Sequence, residues 1–354
     1  MKHILMILTT LSKSDGVASF CLNYYKQIDH NEFKFTFLIH SKEIFEEYKN
    51  LINFYGDDIL IYPSLSFGNL KNISKNFNLL LSQRHFDVIH CNLPNTAFIY
   101  LKIGARYNIP IRIMHSHATK LSDSIIKSVR NSVLWKIGKK YVNTRLACSI
   151  AAGNFLFRKR NYTVINNSID YNLFSFSEEK RKSFRKKFKL GEKTMVFVCV
   201  GRISKQKNQL FLLKLLSQVN GDFVLFLAGS NSNNSYFKKC KNKFNDKVRY
   251  LGNYNEVDHL LCGADCFLMP SKYEGLPVSI IEAQGTGLEC ILSDKITEEV
   301  NLGLCAFLPL KFSYWRKEIS SRLNAILPVR NTLYDKRYDA SFEVEKLSKI
   351  YRGY

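Results

Sequence analysis

The sequence predicts an α/β protein made of two doubly wound domains, each with a parallel sheet. Short β-branched, apolar runs alternate with segments of helical spacing, as Leu210, Leu213 and Leu216 show in "NQLFLLKLLSQV". Strands that are apolar along nearly their whole length are typical of parallel sheets covered by helices on both faces. The chain has 354 residues, 46% of them hydrophobic, which is enough for two domains of ordinary size.

Ten apolar runs are predicted as strands, five in each half of the chain. They are "ILMILTT", "FKFTFLI", "DVIHC", "IRIMH" and "RLACSI", followed by "MVFVCVG", "DFVLFLAG", "KVRYLG", "DCFLMP" and "ECILS". The alternation breaks between Ile169 and Thr194, where the chain is polar and strongly basic. We therefore predict an N-terminal domain over 1–168 and a C-terminal domain over 169–337. The amphipathic end, 338–354, is predicted to be a helix that packs back on the first domain.

The charge balance indicates anionic partners. The chain carries 52 Lys and Arg against 30 Asp and Glu, a formal net charge of +22. Nucleic acid, acidic lipid or a phosphorylated substrate would each complement this charge. No helix-turn-helix, zinc-finger, RNP or KH pattern occurs. Net charge is therefore the only feature that favours a nucleic-acid binder, and we expect no nucleic-acid partner.

The cysteines and the N-terminus indicate a cytoplasmic protein. The nine cysteines are odd in number, lie mostly in apolar runs and include no CxxC pair, which disfavours a disulfide framework or a zinc site. The start "MKHILMILTT" is too short and too abruptly polar for a secretory signal. No run of about 18 apolar residues occurs that could span a membrane. We expect no metal and no cofactor.

The stretch "DCFLMPSKYEGLPVSIIEAQGTG" predicts a strand, a loop, a helix and a glycine stop. Pro277 suits the first helical turn, and Gly285 and Gly287 suit the helix end. The first amides of this helix lack internal partners and lie at the positive end of its dipole, so they can bind a diphosphate. Glu274 and Glu282 would accept hydrogen bonds from sugar and ribose hydroxyls. Alternatively, Glu274 caps the turn and Glu282 is a solvated helix residue.

A second strand, turn and helix lie in "FVCVGRISKQKNQLFLLKLL". Arg202 follows the turn residue Gly201, and Lys207 lies at the mouth of the helix. Two cations there can hold a diphosphate and stabilise its charge as it leaves, whereas the alternative is a solvated basic loop. Both elements follow strands of the same domain, and their charges complement one ligand. We expect that ligand, a nucleotide sugar, at the carboxyl ends of the strands, in a cleft between the domains.

With these motifs the chain resembles a family 4 glycosyltransferase of the GT-B fold, from the branch that builds bacterial exopolysaccharide, capsule or O-antigen. Six segments carry the resemblance: "DGVASFCLNYY" (15–25), "IRIMHSHA" (111–118), "RLACSIAAGNFLF" (145–157), "NNSID" (166–170), "GRISKQKN" (201–208) and "PSKYEGLPVSIIEAQGTGL" (270–288). It implies two Rossmann-like domains facing a central cleft. It also implies sugar transfer from a nucleotide-diphosphate sugar, for which we expect UDP, with retained anomeric configuration and without a metal.

The resemblance also implies roles for the matching residues. Arg202 and Lys207 would bind the donor diphosphate, Glu274 would contact the transferred sugar, and Glu282 would bind the ribose. The implied donor-binding set is Gly16, Gly201, Arg202, Lys207, Glu274, Gly275, Leu276, Pro277 and Glu282. The implied catalytic set is His117, Arg202, Lys207 and Glu274.

The first domain would contribute a glycine and a histidine. Gly16 would let backbone approach the donor phosphate and the acceptor, although Asp15 stands where the family usually has a second glycine. One histidine of "HSH" would lie near the reacting sugar. We favour His117 over His115 because it leaves the predicted strand. The alternative is a pair of packed or capping histidines.

We expect the acceptor to be a lipid-diphosphate-linked saccharide at the inner face of the cytoplasmic membrane, because the chain is so basic. Residues 120–145 hold seven basic residues and one acid, and "KRKSFRKKFK" (180–189) adds seven cations. A helix in the first stretch would place four aliphatic residues on one face, beside Trp135 and basic residues: Ile126, Val129, Val133 and Ile137. Such a helix can lie on an anionic membrane surface. Alternatively, it packs on the sheet with a solvated back.

A different enzyme of the same fold is the nearer functional alternative. A nucleotide-sugar epimerase or a soluble sugar or glucan synthase would need the same donor groups, and analysis of the product separates these activities.

Overall fold

Each half of the chain folds around its own all-parallel sheet, as the alternation of apolar runs and helical spacing predicts. The computed structural model describes residues 1–13, 15–122, 124–158, 160–231, 234–325 and 329–354. One compact unit comprises Met1–Ser168 and Ala340–Tyr354, and the other comprises Ile169–Asp339.

The first unit contains a seven-stranded parallel sheet within the described residues. Its strands are β1 (Lys2–Leu8), β2 (Phe33–Ile39), β3 (Asp58–Ile61), β4 (Val88–Cys91), β5 (Ile111–Ser116), β6 (Thr144–Ala147) and β7 (Thr163–Val164). They lie in the order β3-β2-β1-β4-β5-β6-β7. The strand order therefore reverses at β1, which pairs with β2 on one side and β4 on the other.

Helices cover both faces of this sheet. They are α1 (Gly16–Tyr25), α2 (Glu46–Phe54), α3 (Leu70–Gln83), α4 (Ala97–Arg106), α5 (Ile125–Gly138) and α6 (Ile150–Phe157). Alternate residues of β1 point to opposite faces, so Ile4 and Met6 pack in one core and Leu5 and Ile7 in the other. The first core includes α1 and α2, and the second includes α3 to α6.

The second unit repeats this architecture with six strands in its described part. Its elements are α7 (Glu178–Lys187), β8 (Met195–Val200), α8 (Gln209–Leu216), β9 (Phe223–Ala228), α9 (Asn234–Lys241), β10 (Val248–Gly252), α10 (Val257–Gly263), β11 (Cys266–Met269), α11 (Val278–Gly285), β12 (Cys290–Ser293), β13 (Cys305–Leu308) and α12 (Phe312–Leu323). The strand order is β10-β9-β8-β11-β12-β13, so it reverses at β8.

The last helix, α13 (Ala340–Arg352), belongs to the first unit. Its apolar face packs in the core beside α1 and β1, and Tyr351 is fully buried there. The Glu343 carboxylate accepts a hydrogen bond of 3.0 Å from the backbone N–H of Asn166. Arg352 pairs with Glu32 at 2.6 Å.

The basic run "KRKSFRKKFK" is used largely for internal ion pairs. Arg181 and Arg185 both bind the Asp265 carboxylate, at 2.6 and 3.2 Å, and Lys180 binds Asp258 at 2.8 Å. These pairs fasten α7 to α10 and to the start of β11. At least three of the seven cations of this run are therefore bound by acids of the second unit.

Helix α5 has the opposite orientation to an ordinary amphipathic helix. Its aliphatic row faces solvent, and the polar Asn131 is buried on the other side. The exposed fractions are 83% for Ile126, 61% for Val129, 51% for Val133 and 47% for Ile137. Trp135 lies on the buried side against Phe157, so its predicted place beside the aliphatic row is wrong. Packing of the aliphatic row on the sheet, the alternative from sequence, does not occur.

Candidate active site

The candidate site of the second unit lies in the loops that follow β8 and β11. These strands are neighbours, and β8 is the strand at which the order reverses. At such a point adjacent loops turn to opposite faces of the sheet and leave a crevice at the carboxyl ends of the strands. Residues 201–208 and 270–277 form the two loops.

Gly201 lets a lysine side chain fold over the first loop. Its φ is +144°, a conformation that L side chains rarely adopt. A Cβ at this position would also lie 2.9 Å from Cε of Lys207. The turn after β9 approaches equally closely, because a Cβ on Gly229 would lie 2.2 Å from the Gly201 carbonyl oxygen. Both glycines are therefore required for the close packing of these turns.

Lys207 and Glu274 form an ion pair that joins the two predicted motifs. Nζ of Lys207 lies 3.0 Å from Oε1 of Glu274, and their side chains are only 15% and 9% exposed. Gln206 Nε2 donates to Glu274 Oε2 at 3.4 Å and to the Tyr273 carbonyl at 3.1 Å. Such partners offset the cost of burying a carboxylate. The structure thus brings together the cation and the acid that the sequence predicts separately.

Two hydrogen bonds to backbone carbonyls hold the two loops side by side. The N–H of Lys272 donates to the carbonyl of Gln206 at 2.8 Å. The side-chain amide of Asn208 donates to the carbonyl of Pro270 at 3.1 Å.

A buried glutamine fastens the first loop to its own helix. Gln209 Nε2 donates to the Arg202 carbonyl at 2.9 Å, and its Oε1 accepts from the N–H of Ser204 at 3.2 Å. Sequence reasoning missed Gln206, Asn208 and Gln209. Their signal is the cluster of amides in "KQKNQ", because amide side chains both donate to and accept from loop backbone.

The other predicted donor-binding residues lie in the same two loops and in α11. Arg202 is partly exposed directly after Gly201. Gly275 and Leu276 are buried in the second loop, and Glu282 is a partly exposed residue of α11.

Helix α11 begins without a side chain over its first amides. Pro277 is the extended residue that caps the helix, not a residue of the first turn as predicted, and Val278 is the first helical residue. Within the described residues there is neither a side-chain cap nor an acid in the first turn. Amides left in this way at the positive end of a helix dipole can bind an anion.

The loop after β1 in the first unit has Asp15 before Gly16, where the resembling family usually has two glycines. The Asp15 carboxylate accepts from the N–H groups of Val17 and Ala18, at 3.0 and 3.1 Å. It therefore occupies two amides at the start of α1 and places a negative charge beside Gly16. A Cβ on Gly16 would meet nothing within 4 Å, so packing does not require glycine there.

His117 follows β5 and is fixed by an asparagine. His117 Nε2 lies 2.8 Å from Asn92 Oδ1, and Asn92 Nδ2 donates to the Ile7 carbonyl at 3.1 Å. That second bond orients the amide, so Oδ1 faces the histidine as an acceptor. His117 must then carry its proton on Nε2 and present Nδ1 as an acceptor. His115 is fully buried, and its ring stacks on His117 with centroids 4.1 Å apart.

A chain of buried hydrogen bonds links His115 to α13, while His117 contacts this chain by stacking on His115. His90 Nε2 lies 3.0 Å from His115 Nδ1, and His90 Nδ1 lies 2.7 Å from the Tyr351 hydroxyl. Burial lowers the pKa of His90 and of His117 to about 3, and it lowers the pKa of His115 well below its ordinary value. All three rings are therefore neutral near pH 7. Sequence reasoning missed Asn92, His90 and Tyr351, whose only signals are a polar residue ending "VIHCN" and a tyrosine in an amphipathic helix.

The described ranges contain no cluster of metal-ligand side chains, no disulfide and no membrane-spanning helix. No group of three or more His, Cys, Asp or Glu side chains there could hold a metal ion. The nine cysteines form no disulfide in this part of the chain, and eight are buried. None of the helices in the same ranges combines the length and the hydropathy that a membrane crossing requires.

Comparison with known proteins identifies the fold and the domain. Residues 180–299 match the family described as "Glycosyl transferases group 1". The chain carries a glycosyltransferase group 1 domain. Anabaena Alr3699/HepE, solved in complex with UDP and glucose, superimposes over 100% of both chains with a TM-score of 0.83 and 15% identity. At that identity the likeness establishes the fold, and the two Rossmann-like domains are those of GT-B glycosyltransferases.

The relatives of this chain include bacterial glycosyltransferases named for capsular polysaccharide and O-antigen biosynthesis. "Putative glycosyltransferase EpsF" of Bacillus subtilis is 28% identical over 99% of this chain and 96% of its own length. The Escherichia coli enzyme "UDP-Gal:alpha-D-GlcNAc-diphosphoundecaprenol alpha-1,3-galactosyltransferase" is 28% identical over 61% of this chain and 59% of its own length.

Proposed function

We propose that this glycosyltransferase moves a sugar from a UDP-sugar to a lipid-diphosphate-linked saccharide in surface polysaccharide assembly, with retained configuration and without a metal. The observation that carries the proposal is the buried Lys207–Glu274 pair between the loops after β8 and β11. It sets a cation for phosphate beside an acceptor for hydroxyls, as a nucleotide sugar requires. The donor and acceptor named for the Escherichia coli relative, and the UDP and glucose bound to Alr3699/HepE, support these substrate classes.

Each group has a chemical role in the proposed reaction. Lys207, Arg202 and the first amides of α11 hold the diphosphate, Glu274 accepts from sugar hydroxyls, and Glu282 accepts from the ribose. The bond between sugar C1 and the diphosphate breaks while the acceptor oxygen bonds to C1 on the same face. The acceptor proton passes to the departing phosphate oxygen. This step needs no covalent carboxylate nucleophile.

Metal independence is part of the proposal. The chain has no Asp-x-Asp triplet that could hold a divalent cation against a diphosphate. Lys207 and Arg202 supply the positive charge that the leaving group needs. On the first unit, we propose that Gly16 lies near the acceptor and that His117 accepts a hydrogen bond from the reacting sugar through Nδ1.

We also propose that the enzyme works in the cytoplasm, bound peripherally to the inner face of the membrane. The proposed acceptor has a lipid tail that would hold it in a membrane, and the solvent-facing aliphatic row of α5 carries basic residues on its flanks.

The test is a transfer assay with the purified protein, a panel of nucleotide sugars and a short-chain lipid-diphosphate-linked N-acetylhexosamine. One donor should yield a glycolipid whose new linkage keeps the anomeric configuration of the donor by NMR. Activity should persist in EDTA. An inverted linkage would refute retention, and loss of activity in EDTA that manganese restores would refute metal independence. An epimerised nucleotide sugar with no glycolipid would assign the alternative epimerase chemistry.

A further inference from the structure

Two cysteines of the second unit lie side by side on neighbouring strands, outside the candidate active site. Cys290 begins β12 and Cys305 begins β13, and the two residues are direct partners in the parallel register. Directly paired residues of parallel strands direct their side chains to the same face of the sheet, at a strand spacing of about 4.8 Å. The Cα atoms of disulfide-bonded cysteines are usually roughly 4.4–6.8 Å apart, so this pair lies within the range for a bond.

The two thiols differ in their access to solvent. Cys290 is fully buried, whereas Cys305 is partly exposed on β13, the strand at the edge of the sheet. Burial and a hydrogen bond with the Cys305 thiol raise the pKa of Cys290 well above its ordinary value. Cys290 therefore stays protonated at neutral pH, and a small reagent in solution reaches Cys305 first.

Other cysteines of the second unit have partners of a different kind. In the sheet, Cys199 is in register with Leu227, and Cys266 is in register with Phe197. In α10, the thiol of Cys262 donates to the Ser175 carbonyl at 3.6 Å. Cys262 is therefore a suitable comparison for a thiol that has a carbonyl partner.

The chain between β12 and β13 is fastened to α11. The fully buried Gln284 of α11 donates through Nε2 to the Val300 carbonyl at 2.7 Å, and it accepts through Oε1 from the N–H of Leu302 at 2.8 Å. Leu302 lies three residues before Cys305 in the chain. A displacement of β13 towards β12 would therefore reach the helix whose first amides can bind an anion.

We propose that Cys290 and Cys305 form a reversible, redox-sensitive disulfide that loosens α11, with a low-molecular-weight disulfide as the oxidant. The Cys305 thiolate attacks one sulfur of that reagent, which releases one small thiol and leaves a mixed disulfide on Cys305. Cys290 then attacks the Cys305 sulfur and releases the second small thiol, so the two protein protons leave on the two released thiols. Because Cys305 is partly exposed, small thiols can attack the bond again and reverse the reaction.

Disulfide mapping of the full chain tests the site. After incubation of the folded wild type with glutathione disulfide, we expect two free thiols to be lost and a cross-link to join the peptides of Cys290 and Cys305. Dithiothreitol should reverse it. Cys305→Ser should form no such cross-link, whereas Cys262→Ser, which keeps a donor for the Ser175 carbonyl, should form it like the wild type. Retention of all nine thiols, a mixed disulfide that goes no further, or a cross-link between other cysteines would overturn the proposal.

Hydrogen exchange measures the effect on α11 without any substrate. The backbone amides of α11 should exchange roughly five-fold faster in the oxidised wild type than in the reduced protein, the factor expected when one hydrogen bond of Gln284 is weakened. Helix α9, which connects β9 to β10, is the internal reference and should exchange equally in both forms. Equal exchange of α11 in the reduced and the cross-linked protein would overturn the link between the disulfide and this helix.

The effect on sugar transfer rests on the proposed function, in which α11 binds the donor diphosphate. Turnover at low donor concentration should fall by a similar factor when the wild type is oxidised, and it should return with dithiothreitol. Cys305→Ser should be insensitive to the oxidant, and unchanged turnover in the cross-linked wild type would overturn the effect on the donor helix. A reduced wild type that transfers no sugar would refute the proposed function alone, because thiol mapping and hydrogen exchange decide this proposal without transfer.

Discussion

The single ammonium group of Lys207 has two electrostatic roles. It neutralises the buried Glu274 carboxylate at 3.0 Å, and in the proposed reaction it also neutralises the donor diphosphate. Removal of the lysine would leave the buried Glu274 carboxylate without this cation, which destabilises the folded site.

We expect Lys207→Ala to lower kcat by roughly two to three orders of magnitude, the effect of removing one preorganised electrostatic donor. The measurement is turnover with saturating donor. Lys272→Ala is the matched control, because this exposed lysine lies in the neighbouring loop and bonds to Gln206 only through its backbone N–H. Turnover near the wild-type value in Lys207→Ala would remove the lysine from the mechanism.

Asn92 determines which nitrogen His117 presents. Asn92→Asp would place a carboxylate at 2.8 Å from Nε2 and stabilise the imidazolium, so the pKa of His117 should rise from about 3 by roughly 1 to 3 units. Turnover should then decline at mildly acidic pH, where the wild type is still neutral at His117. NMR titration of the imidazole measures the pKa, and Asn95→Asp adds the same charge as a control. An unchanged pKa in Asn92→Asp would contradict the assigned hydrogen bond.

At the scale of elements, the end of α10 is held by guanidinium groups. Four consecutive carbonyls accept from Arg181, Arg185 or Arg330: those of Leu261, Cys262, Gly263 and Ala264. Cations are favourable at the carboxyl end of a helix, where carbonyls lack internal partners. Burial lowers the pKa of Arg330 to about 10, which still leaves it charged at neutral pH.

We expect Arg330→Met to lower the free energy of unfolding by about 3 kcal/mol, because it leaves buried carbonyls without donors. Urea unfolding of the second unit measures the change. Arg316→Met, at an exposed position of α12, should change the free energy of unfolding by less than about 0.5 kcal/mol. Similar losses in both variants would show that the buried contacts of Arg330 are not what stabilises this helix end.

The ten predicted strands correspond to observed strands. Three further strands were not predicted, and they show where strand prediction from this sequence fails. These are β3, β7 and β13, and each lies at an edge of its sheet. These three strands are only partly buried. β7 has only two residues, too few to form a recognisable run, whereas "ILI" in β3 and "CAFL" in β13 are short apolar runs that the prediction did not assign.

Residues of the candidate site were predictable where sheet topology brings them together, but not where distant segments meet. Side chains at the ends of adjacent parallel strands come together by topology, which is how Lys207 and Glu274 could be predicted to share one ligand. Contacts such as that between His90 and Tyr351 join residues 261 positions apart, and no local pattern encodes them. The predicted position of Trp135 on α5 was wrong, because residue spacing identifies a helical face but does not tell which face is buried.

At the scale of the whole molecule, the positive charge has two separate uses. Part of it is bound internally by acids, as on α7, and part of it remains on the surface of the first unit, where Lys71 and Lys75 of α3 and Lys102 and Arg106 of α4 line one groove. Net charge alone therefore does not locate a binding surface, whereas the pairing of each cation does.

The buried histidines make stability depend on pH. His90 has a pKa of about 3 when folded and about 6.5 when unfolded, so between these values the unfolded chain binds the extra proton. The free energy of unfolding should therefore fall as the pH is lowered from about 6.5 towards 3. Urea unfolding at several pH values measures the slope of the free energy of unfolding against pH. His90→Gln should reduce that slope by an amount that corresponds to at most one bound proton. An identical slope in His90→Gln would contradict burial of the neutral ring.

The position of α13 in the chain has a consequence for biosynthesis. The second unit is one continuous segment, but the first unit needs Val344, Leu347 and Tyr351 from the end of the chain to fill its core. On the ribosome, the core of the first unit therefore stays incomplete until α13, which follows the whole second unit in the chain, has been made.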